Sequence, residues 1–296
     1  MFRKISVKIA VLVNIVLFVP VIFGTVFLVK KQYANLEKNY MEQGKFISTV
    51  GAKAVGRLIE EAIDNGVFTV ADVFDTEYSP IPNFDPPKYH TKYDFYMDKA
   101  ILSLQDEMLK NPNVVFAVTV DKNGYLPTHN TKFQQPITGD REKDKVGNRT
   151  KRIFNDTVGL AAAKNTQEGF VQVYKRDTGE TMWDVSTPIT VKGKFWGNFR
   201  IGLSIVSLNE AKNALLYQLT GIMASILIVS VIAIFYTVRQ ILKPLTSLTQ
   251  IASKMADGEV NEQIAITSQD EIGDLADVLE RMRISLKTAM DRLMKK

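Results

Sequence analysis

The chain has 296 residues, 37 Lys and Arg against 32 Asp and Glu, two histidines and no cysteine. Without cysteine there is no disulfide framework, no thiolate-ligated zinc or iron–sulfur site and no covalent c-type haem. The excess of five positive charges is too small and too evenly spread for a nucleic-acid surface, and a mean hydropathy of −0.03 conceals a very uneven distribution of apolar residues.

A short basic tail, 1–8, carries Arg3, Lys4 and Lys8. Residues 9–29 then run for 21 positions without a charge. As a helix this spans about 30 Å, the thickness of a bilayer core. The run exceeds the apolar core of a cleavable signal peptide and no small-residue cleavage site follows, so it reads as an uncleaved anchor. Pro20 and Gly24 are tolerated within lipid.

Residues 30–212 carry 24 positive and 23 negative side chains. Helix continues from Gln32 to about Asn65. Pro80, Pro82, Pro86 and Pro87 mark a loop. A second helix is expected from Tyr93 to Lys110, with Ala100, Ile101, Leu104 and Met108 on one stripe. The pattern then changes to period two. Residues 114–120 read as a buried strand, Asp121-Lys122-Asn123-Gly124 as a hairpin turn, and 125–128 as the start of a return strand. A basic stretch, 140–152, leads into a helical segment at 150–164. Strands follow at 169–175, 181–191 and 195–206, separated by turns at 177–180 and 192–194. About five antiparallel strands with one helical insert would cover their apolar face with the preceding helices.

This order resembles the extracytoplasmic Cache or PAS-like sensor domain. The residues that carry it are VTVDKNGYLPTHN at 118–130 and STPITVKGKFWGNFRIGLSI at 186–205. GNRTKRIFNDTVGLAAAKN at 147–165 is similar to a subgroup on methyl-accepting chemotaxis receptors of metal-reducing bacteria, some of which attach haem through Cys-x-x-Cys-His. That attachment does not carry over to a chain without cysteine. The resemblance implies a small ligand between sheet and cover. The candidates are Tyr125, His129 and Asn130 after the first turn, Arg149 and Arg152 at the insert, and Trp183, Asp184, Trp196 and Arg200 on strands. An arginine fork suits a carboxylate. The tryptophans also read as core, the arginines as part of a solvated basic cluster and His129 as a hydrogen-bonded loop residue. Non-covalent haem on His129 and a methionine is chemically allowed, and no cofactor is expected.

A second uncharged run, 213–238, is closed by Arg239. Arg239 and Lys243, like the basic N-terminal tail, suggest cytoplasmic ends, although Lys30 and Lys31 oppose this. In the tail, Leu245, Leu248, Ala252 and Met255 are spaced 3, 4, 3 after Pro244. Beyond a polar connector, Ile272, Leu275, Leu279, Met282, Leu286, Ala289 and Leu293 form a heptad seam. One narrow helix cannot bury this seam alone. The pattern resembles the HAMP domain over 239–291, with residues 292–296 as a tail. Pro244 matches its proline, Gly258 its connector glycine, and Asp270-Glu271-Ile272-Gly273 its acidic signature. Val260, Ile264 and Ile266 would dock the connector.

The fold class expected is an α+β membrane protein. Two transmembrane helices flank a PAS/Cache-like domain, and a HAMP parallel four-helix bundle forms across a homodimer. The implied function is a bacterial inner-membrane receptor with both termini cytoplasmic. A small molecule binds outside, and the signal passes to a kinase, cyclase or chemoreceptor array. The sequence ends at Lys296 without an output domain, so that partner is expected in trans, or this is the front part of a longer receptor. A membrane scaffold whose outer domain binds protein is the alternative. No phosphate loop, nucleophile elbow or H-E-x-x-H motif suggests an enzyme.

Overall fold

The computed structural model describes residues 5–176, 179–265 and 268–294, with the side chain of Met294 outside the description. Arg3 and Lys4, the expected turn residues Asp177 and Thr178, the connector residue Ile266 and the last two residues lie outside it. The chain divides into two compact units, Lys30–Leu216 and the pair Met1–Val29 with Tyr217–Lys296.

The first unit opens within α1 (Ile5–Asp64), which carries the expected helix straight on from the apolar run. A single turn, α2 (Val70–Val73), follows. The proline-rich segment is more than a loop, because β1 (Ser79–Ile81) and β2 (Lys88–His90) pair across it. The expected second helix is broken at Ile101 into α3 (Asp94–Ala100) and α4 (Leu102–Met108). Next come β3 (Val114–Asp121), β4 (Tyr125–Leu126), α5 (Arg141–Gly147), β5 (Arg152–Ile153), α6 (Thr157–Ala163), β6 (Phe170–Lys175), β7 (Thr181–Val191) and β8 (Lys194–Ser204). Residues 150–164 are therefore a short strand and a short helix rather than one helical segment, and part of the basic stretch is itself α5. Asp140 and Asp156 each accept two backbone N–H groups and so start α5 and α6.

The main sheet has four strands in the order β3-β8-β7-β6, all antiparallel. The Asn123-Gly124 turn forms, but β4 does not return along β3. It pairs with β5 instead. Asp121 governs this turn. One carboxylate oxygen accepts the N–H groups of Asn123 and Tyr125, and the other accepts the Tyr78 and Tyr93 hydroxyls. These bonds spend the turn on tying the sheet edge to the helical cover.

One sheet face carries Val185, Ile189, Phe199, Ile201 and Leu203 and packs on α1, α3 and α4. The other carries Phe116, Val118, Val120 and Met182 beneath Leu126, Phe133 and Ala163. On α1 the residues facing the sheet are small. A side-chain carbon on Gly51 would lie 2.4 Å from the Phe199 ring, and one on Gly56 would lie 2.8 Å from the Thr190 carbonyl oxygen.

In the second unit, the apolar stretches of α1 and of α7 (Ile205–Ala256) are each long enough to cross a membrane. Almost nothing of either is buried within the chain, so neither is the core helix of a soluble protein. Helix α7 contains Pro244, and α8 (Glu271–Met294) follows the connector.

Replacing a helix-interior glycine by alanine normally stabilises by about 0.5–1 kcal/mol. Gly56→Ala is expected to reverse that sign and cost about 1–3 kcal/mol, because the added methyl meets backbone rather than a yielding side chain. Denaturant unfolding of wild type and variant measures it.

Candidate ligand recess and relay

Four basic side chains converge on the sheet face opposite α1. Arg200 comes from β8, Arg176 follows β6, Arg149 follows α5, and His129 lies in the loop after β4. All four are at least 96% buried. They line a narrow recess with Tyr174 and the apolar side chains Phe116, Val118, Leu126 and Phe154.

Each cation is held in a defined place. Arg200 donates from Nε to Asp184 at 3.1 Å, and Gln172 fixes the other Asp184 oxygen at 2.9 Å. Arg176 stacks over the Phe133 ring at 4.5 Å and donates to Glu180 at 3.3 Å. Arg149 and Arg152 each lie 5.0 Å from the Phe154 ring centre, and both donate to the Lys145 carbonyl. His129 Nδ1 accepts the backbone N–H of Asn130 at 2.8 Å. Burial, reinforced by the charges of Arg149, Arg176, Arg152 and Arg200, holds the imidazole pKa well below its usual value. The ring is therefore neutral with its proton on Nε2.

Lys88 braces this wall. Its ammonium donates to Asn148 Oδ1 at 2.6 Å and to the Thr150 carbonyl at 2.5 Å, on either side of Arg149. Burial, then the nearby Arg152 and Lys151 charges, pull its pKa down to about 8.

The sequence candidates thus separate. His129, Arg149 and Arg200 line the recess, Asp184 orients Arg200, and Arg152 stands beside it. Tyr125 does not reach it. Its hydroxyl is buried on the helix side, donating to Tyr89 O and Asp94. Asn130 is structural, with Oδ1 accepting the Ala117 N–H. Trp196 packs in the α1-side core and donates to Val73 O at 2.8 Å. It is the extra residue of a β-bulge, since Ile189 pairs with Gly197 and Thr190 with Phe195, and the bulge re-aims its side chain. Trp183 packs on that same core. Arg176 and Tyr174 were missed, although strict alternation along β6 puts them on one face with Gln172.

The tail forms its own small core from Leu248, Ile264 and Ala276, with Ile251, Ile272 and Leu279 against it. Met255 and Val260 are also buried. Asp270 Oδ1 accepts the N–H groups of Ile272 and Gly273 and starts α8. Gly273 is required there, because a side-chain carbon would lie 2.0 Å from Ser268 O. Glu271 is exposed, and Gly258 takes φ +91° at the start of the connector. Glu280 and Arg283 clamp that connector. Glu280 accepts the Ile264 N–H at 3.0 Å, and Arg283 donates to Val260 O at 2.7 Å and to Glu280 at 2.6 Å. The Arg283 bonds, then the Ile264 N–H, pull the Glu280 carboxyl pKa down to about 2. Leu275, Met282 and Leu286 remain more than 40% exposed, so the connector covers a different stripe of α8 from the heptad seam.

This geometry defines a class, a chemoreceptor-like sensor module joined to a relay. Residues 236–288 match the HAMP domain. The chain is homologous to methyl-accepting chemotaxis proteins. A probable member from Bacillus thuringiensis subsp. konkukian is 28% identical over 121 residues, 39% of this chain and 18% of that protein. TlpA of Bacillus subtilis is 30% identical over 80 residues, 27% of this chain and 12% of that protein. The chain therefore spans under a fifth of the length of these relatives. Among solved structures, the E. coli DcuS sensor domain is similar at 21% identity over 38% of this chain and 72% of its own, with TM-score 0.27. The sensory domain of the Campylobacter jejuni chemoreceptor Tlp3, solved with isoleucine bound, is similar at 10% identity over 61% and 65%, with TM-score 0.30.

Lys88→Met should destabilise the protein by about 1–3 kcal/mol by orphaning two buried acceptors, as read by unfolding midpoints. Lys88 binds its proton less tightly folded than unfolded. Its charge therefore costs stability fully below pH about 8, and the cost disappears as pH rises towards 10.5. The stability gain between those values should be smaller in Lys88→Met than in wild type.

Proposed function

We propose that this chain is the sensing and relaying part of a dimeric receptor of the bacterial inner membrane. A small molecule enters the recess on the outer side, and the tail reports to a cytoplasmic signalling partner. The observation that carries this reading is the HAMP match directly following an apolar helix that itself begins where the sensor sheet ends. Arg200 lies on β8, and α7 starts at Ile205, five residues later. A ligand that draws on Arg200 thus acts on the strand from which α7 departs.

The relay needs an element with two packings of similar energy, because a ligand shifts an equilibrium only by its differential affinity for the two states. The exposed seam of α8 supports a second copy as its cover, since three large apolar side chains in a heptad row are costly in water. The arginines and lysines next to both apolar stretches favour cytoplasmic ends.

Two measurements test this, and the absence of native cysteine makes both clean. Ser103→Cys should react with a membrane-impermeant maleimide on intact spheroplasts, whereas Ser285→Cys should react only after lysis. The opposite pattern would place the recess inside. Leu286→Cys should give an oxidised covalent dimer, and adding Leu279→Glu should abolish it by placing a charge in the seam. Crosslinking that survives Leu279→Glu would show that the seam is not the core of a bundle.

A further inference from the structure

Resting on the reading of the recess as the ligand site, we propose that its ligand is a small organic anion carrying more than one carboxylate, held by Arg149, Arg176 and Arg200 with His129 as a fourth donor. The argument is one of hydrogen-bond sense. A guanidinium has only donors. His129 has spent its acceptor nitrogen on the Asn130 N–H, so the proton it carries on Nε2 makes it a donor as well. Apart from the Tyr174 hydroxyl, every polar group lining the recess therefore offers hydrogen. An ammonium or an amide N–H entering the recess would meet no matching acceptor, and carboxylate oxygens satisfy all four.

The three guanidiniums come from separate segments and approach on different sides. One is fixed over the Phe154 ring, one over the Phe133 ring, and one through Asp184. A single carboxylate accepts one fork bidentately. Forks set apart and already oriented by their surroundings fit a ligand with acidic groups at more than one end, with its carbon body on Phe116, Val118 and Leu126. The recess is narrow, which restricts the ligand to a short chain. The field of the same arginines keeps His129 neutral, as an anion-attracting site requires.

The test is calorimetric titration and thermal shift of the full chain in lipid nanodiscs. The probes are succinate, citrate, inorganic phosphate, isoleucine and putrescine. Succinate or citrate is expected to bind and to stabilise, with affinity falling as salt is raised. Arg149→Lys keeps the charge but loses the fork, and should weaken that binding at least tenfold while the ligand-free melting midpoint stays near wild type. If Arg149→Lys lowers the ligand-free midpoint, Arg176→Lys is read in its place. Undiminished affinity in a folded fork variant would overturn the assignment of the site. Binding of isoleucine or putrescine in place of the carboxylates would overturn the anion proposal and leave the sensor reading standing. Phosphate binding as tightly as succinate and citrate would overturn the carboxylate class in favour of an inorganic anion. Binding of none of the five would overturn the proposal, while the labelling and crosslinking experiments decide the sensor reading separately.

Discussion

The outer unit depends on the close approach of α1 to strands β7 and β8. Gly44, Gly51 and Gly56 let the helix backbone settle on Leu203, Phe199 and the Thr190 carbonyl at distances that leave no room for a side chain. Ser48 completes this face with a buried hydrogen bond to Thr187 at 2.8 Å. With α1, α3 and α4 occupying one side of the sheet, that side becomes a closed apolar core. The opposite side is left to the shorter segments between β4 and β6. Short segments with their own caps and turns pack less completely than a long helix, and the recess lies under them.

The recess is expensive to build. Arginines buried this deeply lose hydration, and the protein compensates with Asp184, Glu180, backbone carbonyls and the faces of Phe116, Phe133 and Phe154. Lys88 adds a further buried cation whose two bonds fix the segment that carries Arg149. Such a concentration of desolvated positive charge is not what a sheet needs for stability. It is the arrangement expected where charge is held ready for a partner of opposite sign.

The tail works on a different principle. Its intrachain contacts are few and specific. The Glu280–Arg283 clamp takes up the backbone of Val260 and Ile264, so the connector is pinned by charge-assisted bonds rather than by bulk. Because the clamp uses one stripe of α8, the heptad seam beside it is left for another surface. The signature around Asp270 and Gly273 has an equally local cause. The carboxylate starts the helix, and the glycine admits the Ser268 carbonyl.

The sequence by itself determined the features governed by length and period. A bilayer demands an uncharged run of fixed extent, a heptad seam demands spacings of three and four, and a strand demands alternation, so both apolar helices, the tail pattern and β3, β6, β7 and β8 were legible. His129, Arg149 and Arg200 were legible as polar residues beside or within such elements. Only the tertiary structure decided which side chains meet. The bulge at Trp196 turned a strand residue into the core, the Asp121 turn sent β4 to β5, and the break at Ile101 split a helix whose stripe read as continuous. These outcomes hang on single hydrogen bonds and one-residue shifts of register, to which composition and periodicity are blind. For the same reason Arg176 joined Arg149 and Arg200 only once β6 was placed at the edge of the sheet and the α5–β5 segment folded over its face.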